Sequence, residues 1–287
     1  MSTRTSSLKQ KDPGAIHHAL VVSAEDDNIG ILPQLTGQSV HRIIESLRQV
    51  GAHGFQTRQW MHSNLLPTFH YLGHPSWEKG WTPRRAYEHL YGPICGARAV
   101  PHVLRAFARL ERITEKMHRE TYLVSFPVPN WITGHWDSWP AKLTPQSLEQ
   151  VARIYEQSAD DLAKAVRASR PAGRDTLFAL ERHVRHGAYY CRSLAQMALA
   201  RMADGAAEEA QKANRFEQID LNREATATHL AEAETLMRRA CEVFAHGVVD
   251  RCDLGALATL NSFNLDPIAA LARLARAKAD MFSCRES

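Results

Sequence analysis

The chain has 287 residues, room for one large domain or two modest ones, and its 44% hydrophobic and 23% charged content is that of a folded globular protein. Its 35 basic and 31 acidic residues leave a net charge of +4, with Arg and Glu alternating along helical segments, so the concentrated positive face of a nucleic-acid binder is not expected. Five cysteines without a CxxC pair signal neither a disulfide framework nor a zinc site. The polar N-terminus MSTRTSSLKQKDPG has no leader-like apolar core, and no run reaches the roughly 18 apolar residues of a membrane span, so a cytoplasmic protein without membrane contact is expected.

Residues 1–16 form a polar lead rich in Ser, Thr and Lys, closed by Asp12, Pro13 and Gly14, and are expected to be flexible. The apolar run Ala19–Ala24 (ALVVSA) then predicts a buried strand that ends in the carboxylates Glu25, Asp26 and Asp27. A loop carrying Gly30, Pro33 and Gly37 follows. From Ser39 to Val50 the apolar residues Val40, Ile43, Ile44, Leu47 and Val50 recur at helical spacing, with Ser39 as N-cap and Gly51 as terminator. Gly54–Trp60 (GFQTRQW) suits a second strand. Strand, helix and strand within about forty residues make one βαβ unit, whose strands are parallel and whose crossover is right-handed.

The segment from Met61 to Trp77 is broken by Asn64, Pro67 and Pro75 but holds Leu65, Leu66, Phe69, Tyr71 and Leu72, which predicts a loop with a short helix. From Thr82 the pattern turns helical. Thr82 before Pro83 is a strong start signal, with an interruption expected at Gly92 and Pro93, and the next helix runs from Ala97 to about His118. Residues 121–143 form an insertion with three prolines and three tryptophans, in which Trp131, Trp136 and Trp139 either rim a binding surface or plug gaps between helices. Thr144 and Pro145 open a helix to about Ser169, and residues 170–173 break the chain. Further helices are expected over Asp175–Ala203, Glu208–Phe216, Asn222–His246 and Leu265–Met281. The fold expected is therefore mainly α: the lead (1–16), a partial α/β segment (17–81) and an α-helical domain (82–287).

A parallel sheet of two strands cannot stand alone, because such sheets bury both faces. The stretch GILPQLTGQSVHRIIESLRQVGAHGFQTRQWMHSNLLPTFHYLGHPSW, followed by TPRRAYEHLYGPICG and a long helix, resembles the C-terminal part of (β/α)8-barrel glycoside hydrolases of the α-glucuronidase-like and β-N-acetylhexosaminidase-like kinds. The resemblance covers roughly residues 17 to 120. It implies that ALVVSAEDD and GFQTRQW correspond to the last two strands of a TIM barrel, and that the remaining strands, with at least one catalytic carboxylate, are absent or supplied by a complementing chain.

Ligands of parallel α/β folds sit at the carboxyl ends of strands, which makes Glu25, Asp26 and Asp27 the catalytic candidates and Arg58, Trp60 and His62 the substrate-binding ones. Glycoside hydrolysis needs two carboxyl groups about 5 to 9.5 Å apart, an Arg fork can hold sugar hydroxyls or a uronate, and a Trp can floor a sugar ring. The plain counter-reading is a solvated turn after a strand, with Arg58 paired to Asp26 or Asp27 and Trp60 in the core. No cofactor or metal is expected: P-loop, GxGxxG and GxSxG motifs are missing, and the spacing of His62, His70 and His74 does not suggest a triad on one rigid element. His183 and His186 read as a solvated basic face, and Cys191 and Cys241 as small core residues. The expectation is a C-terminal hydrolase fragment, weakly active or inactive alone, that binds carbohydrate and forms a homo-oligomer or joins a complementing barrel chain. The rival readings are a helical interaction module without catalysis, and a complete small α/β enzyme with a further strand in Thr121–Phe126.

Overall fold

The computed structural model of the chain describes residues 19–23, 32–49, 54–58, 66–75, 78–120, 136 and 139–283, with side chains left out in both strands and at 118–120, 282 and 283. The described residues are mainly helical, and no helix among them is long and apolar enough to cross a membrane. In chain order they form β1 (Ala19–Ser23), α1 (Gly37–Gln49), β2 (Gly54–Arg58), α2 (Leu66–Gly73), α3 (Pro83–Cys95), α4 (Val100–Glu120), α5 (Pro145–Ala168), α6 (Pro171–Lys212), α7 (Phe216–Ala245), α8 (Arg251–Leu260), a π-helical turn (Asn261–Leu265) and α9 (Asp266–Ser283). Strands β1 and β2 pair in parallel, Ala19 opposite Gly54 and Ser23 opposite Arg58.

The chain divides into two compact units, residues 1–125 with 157–181, and residues 126–156 with 182–287. In the first, α1 packs on α2, α3 and α4, so the boundary drawn from the sequence at 81 falls inside this unit. Val40 and Ile44 of α1 bury against Tyr71 and Leu72 of α2, Trp81 and Ala86, with Ile43 and Phe69 at the margin. The helix begins two residues before Ser39, where α4 rather than a local hydroxyl supplies acceptors for its first turn and for the residue leading into it. Gln38 N donates to Glu111 Oε1 over 3.2 Å, Leu35 N donates to Thr114 Oγ1 over 3.0 Å, and Ser39 instead accepts from Arg42. Gly37 permits this approach, since a Cβ there would overlap the Tyr87 hydroxyl, which itself donates to Glu111 over 2.8 Å.

Thr82 caps α3 as the sequence indicates, accepting from Arg85 N over 3.3 Å with Pro83 in the first turn. The helix does not break at Gly92 and Pro93 but runs to Cys95, ending at Gly96 with φ of 85°. Tyr87 and Tyr91 both pack edge-on against Phe107 of α4, at 5.2 and 5.5 Å between centroids, and this burial holds the last turn. The break at 170–173 narrows to Ser169 and Arg170, for Pro171 already opens α6. Arg170 N donates to Cys95 O over 3.0 Å, and a Cβ on Gly173 would stand 2.6 Å from Cys95 Sγ, so glycine is what lets these segments touch.

In the second unit α6 continues through Asp204 and Gly205, where the sequence suggested a gap. A lone glycine costs a helix only about 1 kcal/mol, and the alanines on either side are the strongest helix formers. Helix α7 starts at Phe216, six residues before Asn222; Phe216 and Leu221 are exposed and Ile219 is buried, so its first turns lack a clean apolar stripe. Four alanines and one leucine make the seam among α6, α7 and α9: Ala200, Ala227, Leu230, Ala272 and Ala275, with Ser193 Oγ donating to Ala233 O over 2.7 Å. Helix α8, unassigned from sequence, is capped by Asp250, which accepts from Cys252 N and Asp253 N at 2.8 and 2.9 Å.

Candidate functional site

Parallel, in-register pairing ends β1 and β2 level, with Ser23 opposite Arg58 on the last rung. Glu25, Asp26, Asp27, Trp60 and His62 lie outside the described residues, as do Thr121–Phe126 and Trp131, and of Arg58 only the backbone is described.

Elsewhere in the first unit the fold converges three imidazoles. His70 sits on α2 and His74 in the turn that follows it, one helical repeat apart, so both rings point the same way. His89 stands on α3, which packs on α2 and whose phase is fixed by the Thr82 cap and by Ala86 and Tyr87 in the core. His70 Nε2 lies 3.1 Å from His89 Nδ1 and 3.4 Å from His74 Nε2, and one ring nitrogen from each of the three falls within 4.8 Å of the others. His70 and His74 are half-buried and His89 is exposed, so the cluster opens to solvent on one side.

The surroundings orient these rings. His74 stacks face to face on Trp81, with 3.6 Å between centroids and 4° between planes. The Trp81 indole donates to Glu78, and Arg85 stands 4.5 Å over its ring. Burial, then the neighbouring His74 and His89, hold the His70 pKa below its usual range. Neutral imidazoles with converging nitrogens can share protons or ligate a cation.

Sequence reasoning weighed His62, His70 and His74 and left out His89, the residue that completes the set. The legible signal was the i, i+4 pair across the end of a short helix; what spacing does not give is which turn of α3 faces it.

Other sequence candidates resolve differently. His183 and His186 do not form a solvated face: they are 3% and 0% exposed and pack on Phe244, with centroids at 4.7 and 4.9 Å. They take the inward side of α6, leaving Arg182 and Arg185 further out. Burial lowers the His183 pKa, against the pull of Asp253, whose Oδ2 is 3.8 Å from Nε2. Cys191 and Cys241 are buried, and desolvation raises both thiols, Cys241 to about 11. Trp136 packs beside the alanine seam with its indole donating to Asp204 over 3.1 Å, and Trp139 donates to Leu143 O over 2.9 Å; both are half-buried in the second unit and each lines a surface cavity. Compared with known proteins, the chain matches no family, no curated protein and no solved structure.

Proposed function

We propose that this chain is the C-terminal part of a carbohydrate-active glycoside hydrolase, in which β1 and β2 are the last two strands of a (β/α)8 barrel and the helices after them an appended domain. The observation that supports this reading is the strand pairing: two parallel strands joined through α1 end on the same rung, and the segments bearing Glu25–Asp27 and Trp60 leave from that end. In this reading Glu25, Asp26 or Asp27 faces the glycosidic oxygen, Arg58 holds a sugar hydroxyl or uronate in its planar fork, and Trp60 and His62 line the ring. Further strands, from the same protein or a complementing barrel chain, supply the second carboxyl group, so this chain alone binds sugar with little turnover. We place its action in the cytoplasm, for which the four described cysteines, Cys95, Cys191, Cys241 and Cys252, all free, are the support.

The test is a titration of the purified chain with glucuronic acid and N-acetylglucosamine, followed by tryptophan emission, in wild type and in Trp60→Ala. A saturable change in the wild type that vanishes in Trp60→Ala supports the strand-end site. No response from either protein removes it and leaves the helical interaction module.

A further inference from the structure

We propose that His70, His74 and His89 form a binding site for a divalent transition-metal ion of the zinc class, with the remaining coordination position open to water. This site uses none of the strand-end residues and stands or falls separately from the carbohydrate reading.

The spacing is the first argument. Four-coordinate zinc takes nitrogen ligands at about 2.0 to 2.1 Å, which sets neighbouring ligand nitrogens about 3.3 to 3.4 Å apart around a tetrahedron. The His70–His89 and His70–His74 nitrogens are separated by 3.1 and 3.4 Å. The third pair, His74 and His89, is within the 4.8 Å that spans the set, so closing the ring of ligands on an ion requires the exposed His89 ring to swing inward.

Hydrogen bonding among the rings is the competing explanation, and it accounts for only part of the arrangement. In the neutral state His70 Nε2 carries either one proton or one lone pair, so it serves one ring nitrogen well, yet two crowd it. A cation instead accepts a lone pair from each ring at once, with the tautomer protons moved to the opposite nitrogens.

The donor set narrows the ion. Three imidazoles suit zinc, copper, nickel and cobalt, whereas calcium and magnesium require oxygen ligands. Orientation is prepared as well. His74 is clamped flat against Trp81, and Trp81 is fixed by Glu78 and by burial in the α1–α2–α3 core, so one ligand is held in place before the ion arrives. His70 and His74 come from one segment and His89 from another helix, so bound metal ties α2 to α3 across the turn at 79–80.

The test is calorimetric titration of the full chain with Zn(II), together with the visible spectrum of the Co(II)-loaded protein, in wild type, His89→Gln and His246→Gln. His89 and His246 are both exposed, so neither change threatens the fold, and far-ultraviolet circular dichroism verifies this for each. The chain carries 15 histidines in all, which is why a remote exposed one serves as the control. Expected are one equivalent of Zn(II) bound with a Kd of about 1 µM or tighter, a four-coordinate Co(II) band, and unchanged behaviour in His246→Gln. His89→Gln should weaken binding on the order of 100-fold and abolish the band, a loss of about 2.7 kcal/mol. Stoichiometric uptake that survives His89→Gln overturns the proposal, as does a wild type that takes up no ion at 100 µM, which would leave a hydrogen-bonded histidine trio.

Discussion

Glu111 shows how far a single residue can depart from what its sequence position suggests. On the apolar-striped α4 it reads as an ordinary exposed acid, yet it caps α1 through Gln38 N and accepts from the Tyr87 hydroxyl. Burial outweighs those hydrogen bonds and the Arg42 charge and raises its pKa from the usual 4.5 to about 7. The folded protein thus holds a proton that the unfolded chain releases above 4.5, so this stabilisation is full below that pH and is lost as pH rises through about 7. Glu111→Gln keeps an acceptor oxygen without the ionisation. Its unfolding free energy from urea titration should exceed that of the wild type at pH 8, by at most about 3 kcal/mol, and the gap should close at pH 5. A gap independent of pH would mean that the carboxyl ionises normally. None of this was visible from spacing, because the partner amide lies 73 residues away.

At the scale of elements, the sequence was most informative where a cap and an apolar stripe coincided. Thr82-Pro83 and Thr144-Pro145 mark the starts of α3 and α5, and both helices begin at those prolines. It was least informative where tertiary contacts took over the job of a local signal: α1 starts early on a cap from α4, and α3 runs past Gly92-Pro93 because two tyrosines are buried on Phe107. Helix α8 had a readable cap in Asp250 but only ten residues, and it passes into a π-helical turn that disrupts any 3.6-residue repeat. That turn places Asn264 where it accepts from the Tyr190 hydroxyl over 3.3 Å, with both residues buried. Asp250→Ala removes the two capping acceptor contacts of α8. The change should cost about 1 kcal/mol in thermal or urea unfolding, with faster amide exchange confined first to residues 251–260.

For the molecule as a whole, composition and apolar pattern were enough to establish a mainly helical chain, while the strand-end chemistry rests on resemblance and the histidine trio on tertiary placement that spacing does not encode. The pH response combines opposing contributions. His183, buried against Phe244 and beside Asp253 and Asp250, has a pKa below its usual 6.5 because desolvation prevails over both carboxylates. A lowered imidazole pKa means that the unfolded chain binds the proton first, so the stability it contributes is present above pH 6.5 and is lost as pH falls below it. Acidification thus draws stability down through His183 while Glu111 pushes it up. His183→Gln should flatten the decline of the urea midpoint between pH 6.5 and 5, and an unchanged slope would assign the decline to other groups. Optical readouts inherit a further dependence from the stacked pair in the first unit. Trp81 lies stacked 3.6 Å from the His74 imidazole, so an ion held at the proposed histidine site would change its emission. The chain's six tryptophans emit together, and any light attributed to sugar at Trp60 shares its signal with a ring that reports on the histidine trio some twenty residues further along.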